Sequence, residues 1–248
     1  MPDTAQGFAV GVKRGPFQQN RDIALTKYAD VNDAARFVFF EDFVTDTLST
    51  DWWTVTLEAD ATNKSTCAIT EAAFGTVVAT LGPVANDFAN LGSSKQFSTS
   101  APGRFDVRVK VSGAPDNLVI GLSDAKTESN GNLCTNVTSP AIVPDDFVGF
   151  IYEKANGGSV WYIGCANNTT DRATALTAAP SSSFQILSVE WDSAGNATFS
   201  IEGVEVGSLS LALRASQTLC LIIAATNIAG TITPSITVDY ARVSQERS

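Results

Sequence analysis

The chain has 248 residues, 44% of them apolar, and carries 26 acidic against 16 basic residues for a formal net charge of −10. That balance supplies no basic face for phosphates and excludes a nucleic-acid partner, while the length is ample for a core built without metal or disulfide support. The sequence contains no histidine, which removes Ser-His-Asp and Cys-His chemistry and leaves thiolates as the only route to a zinc site.

The N-terminus shows no basic segment followed by an apolar stretch, so no secretory signal is expected. The longest apolar run, Leu219 to Ala225, is far short of the roughly 20 residues of a membrane helix, so no membrane partner is expected either. Residues 1–36 have scattered apolar residues without a sustained period. Phe8, Val10, Val12 and Phe17 make this stretch stickier than an ordinary disordered leader, and it reads as an arm that binds a partner or a neighbouring subunit.

From Phe37 onward the texture is β. Phe37–Phe43 enters the domain, Leu48–Val55 follows, and Cys67–Thr70 pairs with Phe74–Leu81. Gly103–Val111 alternates cleanly: Phe105, Val107, Val109 and Val111 point one way, and Arg104, Asp106, Arg108 and Lys110 point to solvent. Asn117–Leu122 is the next strand. A polar loop from Ser123 to about Pro144, holding Cys134, is the longest interruption, and loops of that length are usually functional or mobile. Phe147–Tyr152 and Ser159–Gly164 pair across Asn156-Gly-Gly158. Phe184–Asp192 and Ala197–Val204 flank a turn at Ala194-Gly195-Asn196, Leu219–Ala225 is apolar on both faces and so central, and Ile236–Val243 closes the chain. About twelve to fourteen short strands without a long helix define an all-β, two-sheet antiparallel sandwich over residues 37–248, preceded by the arm. Cys67, Cys134, Cys165 and Cys220 include no Cys-x-x-Cys pair, and their pairing is open.

The run Phe105-x-Val-x-Val, Val119-Ile-Gly-Leu122, Val189-Glu-Trp-Asp192 with Gly195 and Thr198-Phe-x-Ile-x-Gly203, and Val238-Asp-Tyr-Ala-Arg-Val243 resembles the concanavalin A-like lectin/glucanase superfamily over residues 37–246. The resemblance implies a jelly-roll sandwich. Catalytic members carry a Glu-x-Asp-x-x-Glu strand whose glutamates share a face. Here Glu58-Ala-Asp60 is followed by Asn63, and Glu190-Trp-Asp192 by Gly195, so no catalytic residue is assigned and a non-enzymatic chain is expected.

Sugar binding needs exposed aromatic faces. Trp52-Trp53 and Trp161-Tyr162 offer them, with Trp53, Trp161 and Tyr162 as candidate glycan residues, although alternation along a strand sends one of each pair into the core. Asp145, Asp146 and Asp171 could meet a calcium ion, but acidic loop residues are ordinarily solvated, and no metal or cofactor is expected. An acidic jelly roll with a sticky arm and no catalytic set is similar to tailed-phage virion proteins. The expectation is a capsid decoration or cement protein, synthesised in the host cytoplasm and located in the virion. It would bind the major capsid protein or other virion subunits through its arm and form a homo-oligomer, a trimer at a symmetry axis. The alternative is a lectin-like carbohydrate-binding module.

Overall fold

Strands account for all the regular structure of the computed structural model, which describes residues 36–44, 47–58, 64–70, 75–125, 133–154, 158–168, 170–230 and 232–246. The chain divides into two units, Met1–Arg36 and Phe37–Ser248. Phe8, Val10, Val12 and Phe17 lie outside the described residues.

In chain order the strands are β1 (Arg36–Glu41), β2 (Trp53–Leu57), β3 (Thr66–Thr70), β4 (Thr76–Thr80), β5 (Asp87–Ser98) and β6 (Gly103–Ser112). Next come β7 (Asn117–Ser123), β8 (Cys134–Asn136), β9 (Ala141–Ile142), β10 (Asp146–Glu153), β11 (Tyr162–Asn167) and β12 (Asp171–Ala175). The series ends with β13 (Gln185–Trp191), β14 (Ala197–Ile201), β15 (Val204–Leu209), β16 (Thr218–Asn227) and β17 (Ser235–Glu246). An eight-stranded sheet runs β15-β14-β13-β6-β17-β4-β3, with β1 also paired to β17; a seven-stranded sheet runs β12-β11-β10-β7-β16-β5-β2; β8 and β9 form a small third sheet. The registered strand pairs are antiparallel throughout, as in β6 against β17 and β7 against β16. This is an all-β jelly-roll sandwich.

Alternation decides what each strand buries. Phe105, Val107, Val109 and Val111 of β6 join Leu118, Ile120 and Leu122 of β7 in the main core between the two large sheets. Phe150 lies in it, edge-on to Trp161 at 6.1 Å and to Phe199 at 5.6 Å. The opposite phase of the seven-stranded sheet builds a second core: Val119, Phe147, Ile151, Ala166, Ile222 and Ala224 pack against Leu133, Cys134, Val137 and Ile142 of the small-sheet region. The stretch read as a polar loop is therefore a cap. Its apolar residues are too scattered to show a period, and the cap's strands are only two and three residues long.

Three other strands escape the sequence reading, among them β15, which follows β14 across a tight turn. β5 reads Asp-Phe-Ala-Asn-Leu-Gly-Ser-Ser-Lys-Gln-Phe-Ser, and its Gly and Ser residues mask the buried Ala89, Leu91 and Phe97. β12, at the sheet edge, is polar and half-exposed. On β6, Arg104 and Arg108 point outward as expected, but Asp106 is buried. It accepts from Ser188 Oγ at 2.6 Å and Arg104 Nε at 2.8 Å, because β13 brings Ser188 directly opposite. The hairpin between β13 and β14 turns where Asp192 Oδ1 accepts from the amides of Ala194 (2.9 Å) and Asn196 (2.8 Å). Gly195 takes a φ of +80° there, and a Cβ at that position would sit 2.3 Å from the Leu213 carbonyl oxygen.

Candidate functional site

The outer face of the seven-stranded sheet is assembled from the residues between those that enter the main core. Register aligns them in rows across the sheet. One row reads Thr56, Asn90, Ala224, Val119, Ile151 and Tyr162. The next reads Thr54, Gly92, Ile222, Gly121, Gly149 and Gly164, and a third reads Phe88, Thr226, Asn117 and Glu153.

The glycines let side chains lie flat on the sheet. A Cβ on Gly121 or Gly149 would come within 2.8 Å of the Phe147 ring, and one on Gly164 within 2.4 Å of Ile151 Cδ1. Phe147 and Ile151 in turn carry the β8–β9 cap. Asn117 Nδ2 donates to the Cys134 carbonyl and the Val137 amide donates to Glu153 Oε2 at 3.3 Å, which ties the cap to β7 and β10. Burial pushes the Cys134 thiol up to about 12, so it stays protonated.

The β2-β5-β16 half of the same face is different in kind. Asn90 is 1% exposed, yet neither its Oδ1 nor its Nδ2 has a hydrogen-bond partner; Asn117, fully buried, leaves its Oδ1 unpaired. Burying such a group without a partner costs about 1–3 kcal/mol, and native structures rarely do so without reason. The half-buried Thr54 and Thr56 stand beside Asn90 on the edge strand. Among the described side chains, no Lys or Arg points from this face, whereas Arg104, Arg108 and Lys110 all project from the eight-stranded sheet.

The aromatic candidates separate as alternation requires. Trp53 (2% exposed) and Trp161 (0%) are core residues, which corrects their reading as stacking platforms: Trp53 packs on Phe39 and Phe43, and Trp161 Nε1 donates to Gln185 Oε1 at 3.3 Å. Trp52, at 37%, is the exposed member of its pair. Tyr162 is half-buried on the outer face against the second core. Asp146 is buried in an ion pair with Arg214, while Asp145 and Asp171 line an open polar cavity of about 310 Å³ with Pro140, Ile142, Pro144 and Asn168. No group of three or more carboxylates and thiols able to hold a metal forms among the described residues. Of the two short acidic motifs, Glu58 accepts from the Ser65 amide and from the Phe88 amide at 2.9 Å, and Glu190 pairs with Arg104; Asp60 and Asn63 lie outside the described residues. All four cysteines are free thiols.

No family model and no curated protein sequence matches the chain. Solved structures do. LamA of Zobellia galactanivorans, in complex with laminaritriose and laminaritetraose, is 15% identical, with 86% of this chain and 99% of that one covered at a TM-score of 0.56. The Bacillus licheniformis β-glucanase is 11% identical, covering 85% and 98% at 0.54. Peanut lectin is 9% identical, covering 86% and 98% at 0.56. The chain shares the concanavalin A-like jelly-roll sandwich fold of these proteins. These neighbours overturn two expectations. Glycosidases and a lectin stand where a capsid decoration or cement protein was expected, and the inference that the chain is non-enzymatic falls with it, since it rested on a missing local motif.

Proposed function

We propose that the chain recognises carbohydrate, as a lectin-type module, on the outer face of the seven-stranded sheet. The observation that carries this reading is the jelly-roll sandwich itself, which the chain shares with peanut lectin and with β-glucanases. Thr54 and Thr56 add hydroxyls on the same face, and the half-buried Tyr162 ring stands on that face toward the other edge strand. Two of the matched structures support the class: LamA was solved with laminari-oligosaccharides bound, and a Bacteroides ovatus protein, 11% identical at a TM-score of 0.55, with a mixed-linkage glucan product.

Affinity electrophoresis of the full chain through gels containing soluble plant, algal and microbial polysaccharides tests the proposal. At least one polysaccharide is expected to retard the protein. Unchanged mobility in every gel would refute the reading. A reducing-end assay on the retarding polysaccharide shows whether binding is accompanied by hydrolysis.

A further inference from the structure

Resting on that carbohydrate reading, we infer that the glycan is held at the β11–β12 margin of the outer face and carries free amino groups, with one sugar ring against Tyr162 and another in the cavity beside Asp171. Burial sets the place. On β10, β7 and β16 the outer-face residues Phe147, Ile151, Val119, Ile222 and Ala224 are closed into the second core beneath the β8–β9 cap. Phe88, Asn90 and Thr226 are buried as well. Access remains at the two margins of the sheet. At β2 it meets Thr54 and Thr56; at β11 and β12 it meets the half-buried Tyr162, Ala173 and Asp171 and the exposed Ala175. The second margin joins an accessible aromatic ring, the kind of face on which a sugar ring packs, to a polar cavity that gives a flat sheet depth.

Tyr162 stands opposite Ala175, and Asp171 lies four residues back along β12. At about 3.3 Å per residue the ring and the carboxylate are about 13 Å apart along the strand, a span that a short oligosaccharide bridges. Ala173 and Ala175 present only methyl groups between them. The cavity, about 310 Å³, is at the small end of ligand pockets and suits a single ring. Pro140, Ile142 and Pro144 give it apolar walls, and Asp145, Asn168 and Asp171 supply its polar groups. The Ile142 amide donates to Asp171 Oδ2 at 2.8 Å, which fixes that carboxylate beside the cap. The Asn168 amide donates to the Asp145 carbonyl at 2.5 Å, which ties the other two polar residues together. No basic residue lines the cavity. The nearest cations are engaged elsewhere: Arg214 pairs with Asp146, and Arg172, in register with Cys165 of the main core, donates to the Leu211 carbonyl at 2.8 Å. Carboxylates only accept hydrogen bonds. A sugar ammonium meets two of them with charge assistance that a hydroxyl lacks, whereas a uronate or sulfate meets like charge on a chain of net charge −10.

A 1,4-linked glucosamine hexamer and its fully N-acetylated counterpart share one backbone and differ in the amino charge. The full chain is titrated with each in mildly acid buffer and followed by amide chemical shifts. The glucosamine hexamer is expected to shift Ile142, Tyr162 and Asp171 and to bind about tenfold more tightly than the acetylated one. Asp145→Asn and Asp171→Asn keep side-chain size and an acceptor oxygen, and each is expected to weaken the glucosamine hexamer about tenfold; Tyr162→Ala is expected to weaken both hexamers. Equal affinity for the two hexamers, indifference to the Asn variants, shifts away from β11 and β12, or no binding of the glucosamine hexamer would overturn the inference. The same shifts produced by calcium alone would assign the carboxylates to a metal ion and overturn it too. In each of those cases retardation by another polysaccharide leaves carbohydrate recognition standing, whereas failure of both hexamers and of every polysaccharide sinks both. The hexamer comparison uses the unaltered protein, so it decides the point even if a variant fails to fold.

Discussion

Asn90 is held on β5 between Thr56 and Ala224, with a carboxamide that the fold buries and leaves unpaired. A buried amide without a partner carries a stability cost, and that gives a direct test. Asn90→Leu is expected to raise unfolding stability by about 1–3 kcal/mol, the cost of an unpaired buried polar group. Urea denaturation checks this, and a destabilised variant would show that the amide has a structural partner. Trp161 is expected to behave in the opposite way. It is fully buried against Phe150 and Tyr152, so Trp161→Ala is expected to cost about 3–5 kcal/mol and to report on folding rather than on sugar contact. Sequence alternation correctly implies that one of Trp161 and Tyr162 enters the core, but it does not say which, because Trp161 precedes the first residue of β11 and the phase is set only by pairing with β10 and β12.

The strands differ in how much of themselves the sequence displays. The β13–β14 hairpin is legible because one side chain, Asp192, organises the turn and both strands alternate. β6 and β17 are legible for the same reason, while β5 and β12 are not, because small and polar residues break their pattern. The β8–β9 cap is the clearest failure: Leu133, Cys134, Val137 and Ile142 belong to a core, but one formed with an outer sheet face that alternation alone assigns to solvent. The glycine row beneath that cap is equally silent in the sequence, since it exists only across strands. Gly121→Ala would place a Cβ 2.3 Å from the Val148 carbonyl oxygen and 2.8 Å from the Phe147 ring. It is expected to destabilise by about 1–3 kcal/mol through overpacking, measured by thermal or urea melts. A neutral effect would mean that Phe147 does not lie across the row.

At the scale of the whole molecule, the sandwich was readable and the site was not. Thr56, Asn90, Asn117 and Ala224 are scattered through the sequence, and only the order β7-β16-β5-β2 makes them neighbours, so no local motif could announce them. The same burial governs the thiols. Cys67 and Cys134 are both pushed up to about 12 by burial, against about 8.5 in an unfolded chain. The stability this contributes is fully present below the unfolded value and is lost as pH rises through the folded one. Unfolding midpoints are therefore expected to fall between about pH 9 and 12, with little thiol reactivity at pH 8 until denaturant is added. Rapid labelling of Cys134 in the native state would contradict its place under the cap. The central claim, that glycan binds the outer face of the seven-stranded sheet, is tested most directly by amide chemical-shift mapping of the full chain on addition of oligosaccharides from the retarding polysaccharide. Shifts are expected to concentrate in the seven-stranded sheet and to include the half-buried Thr54, Thr56 or Tyr162; shifts confined to the eight-stranded sheet, or none at saturating sugar, would contradict it.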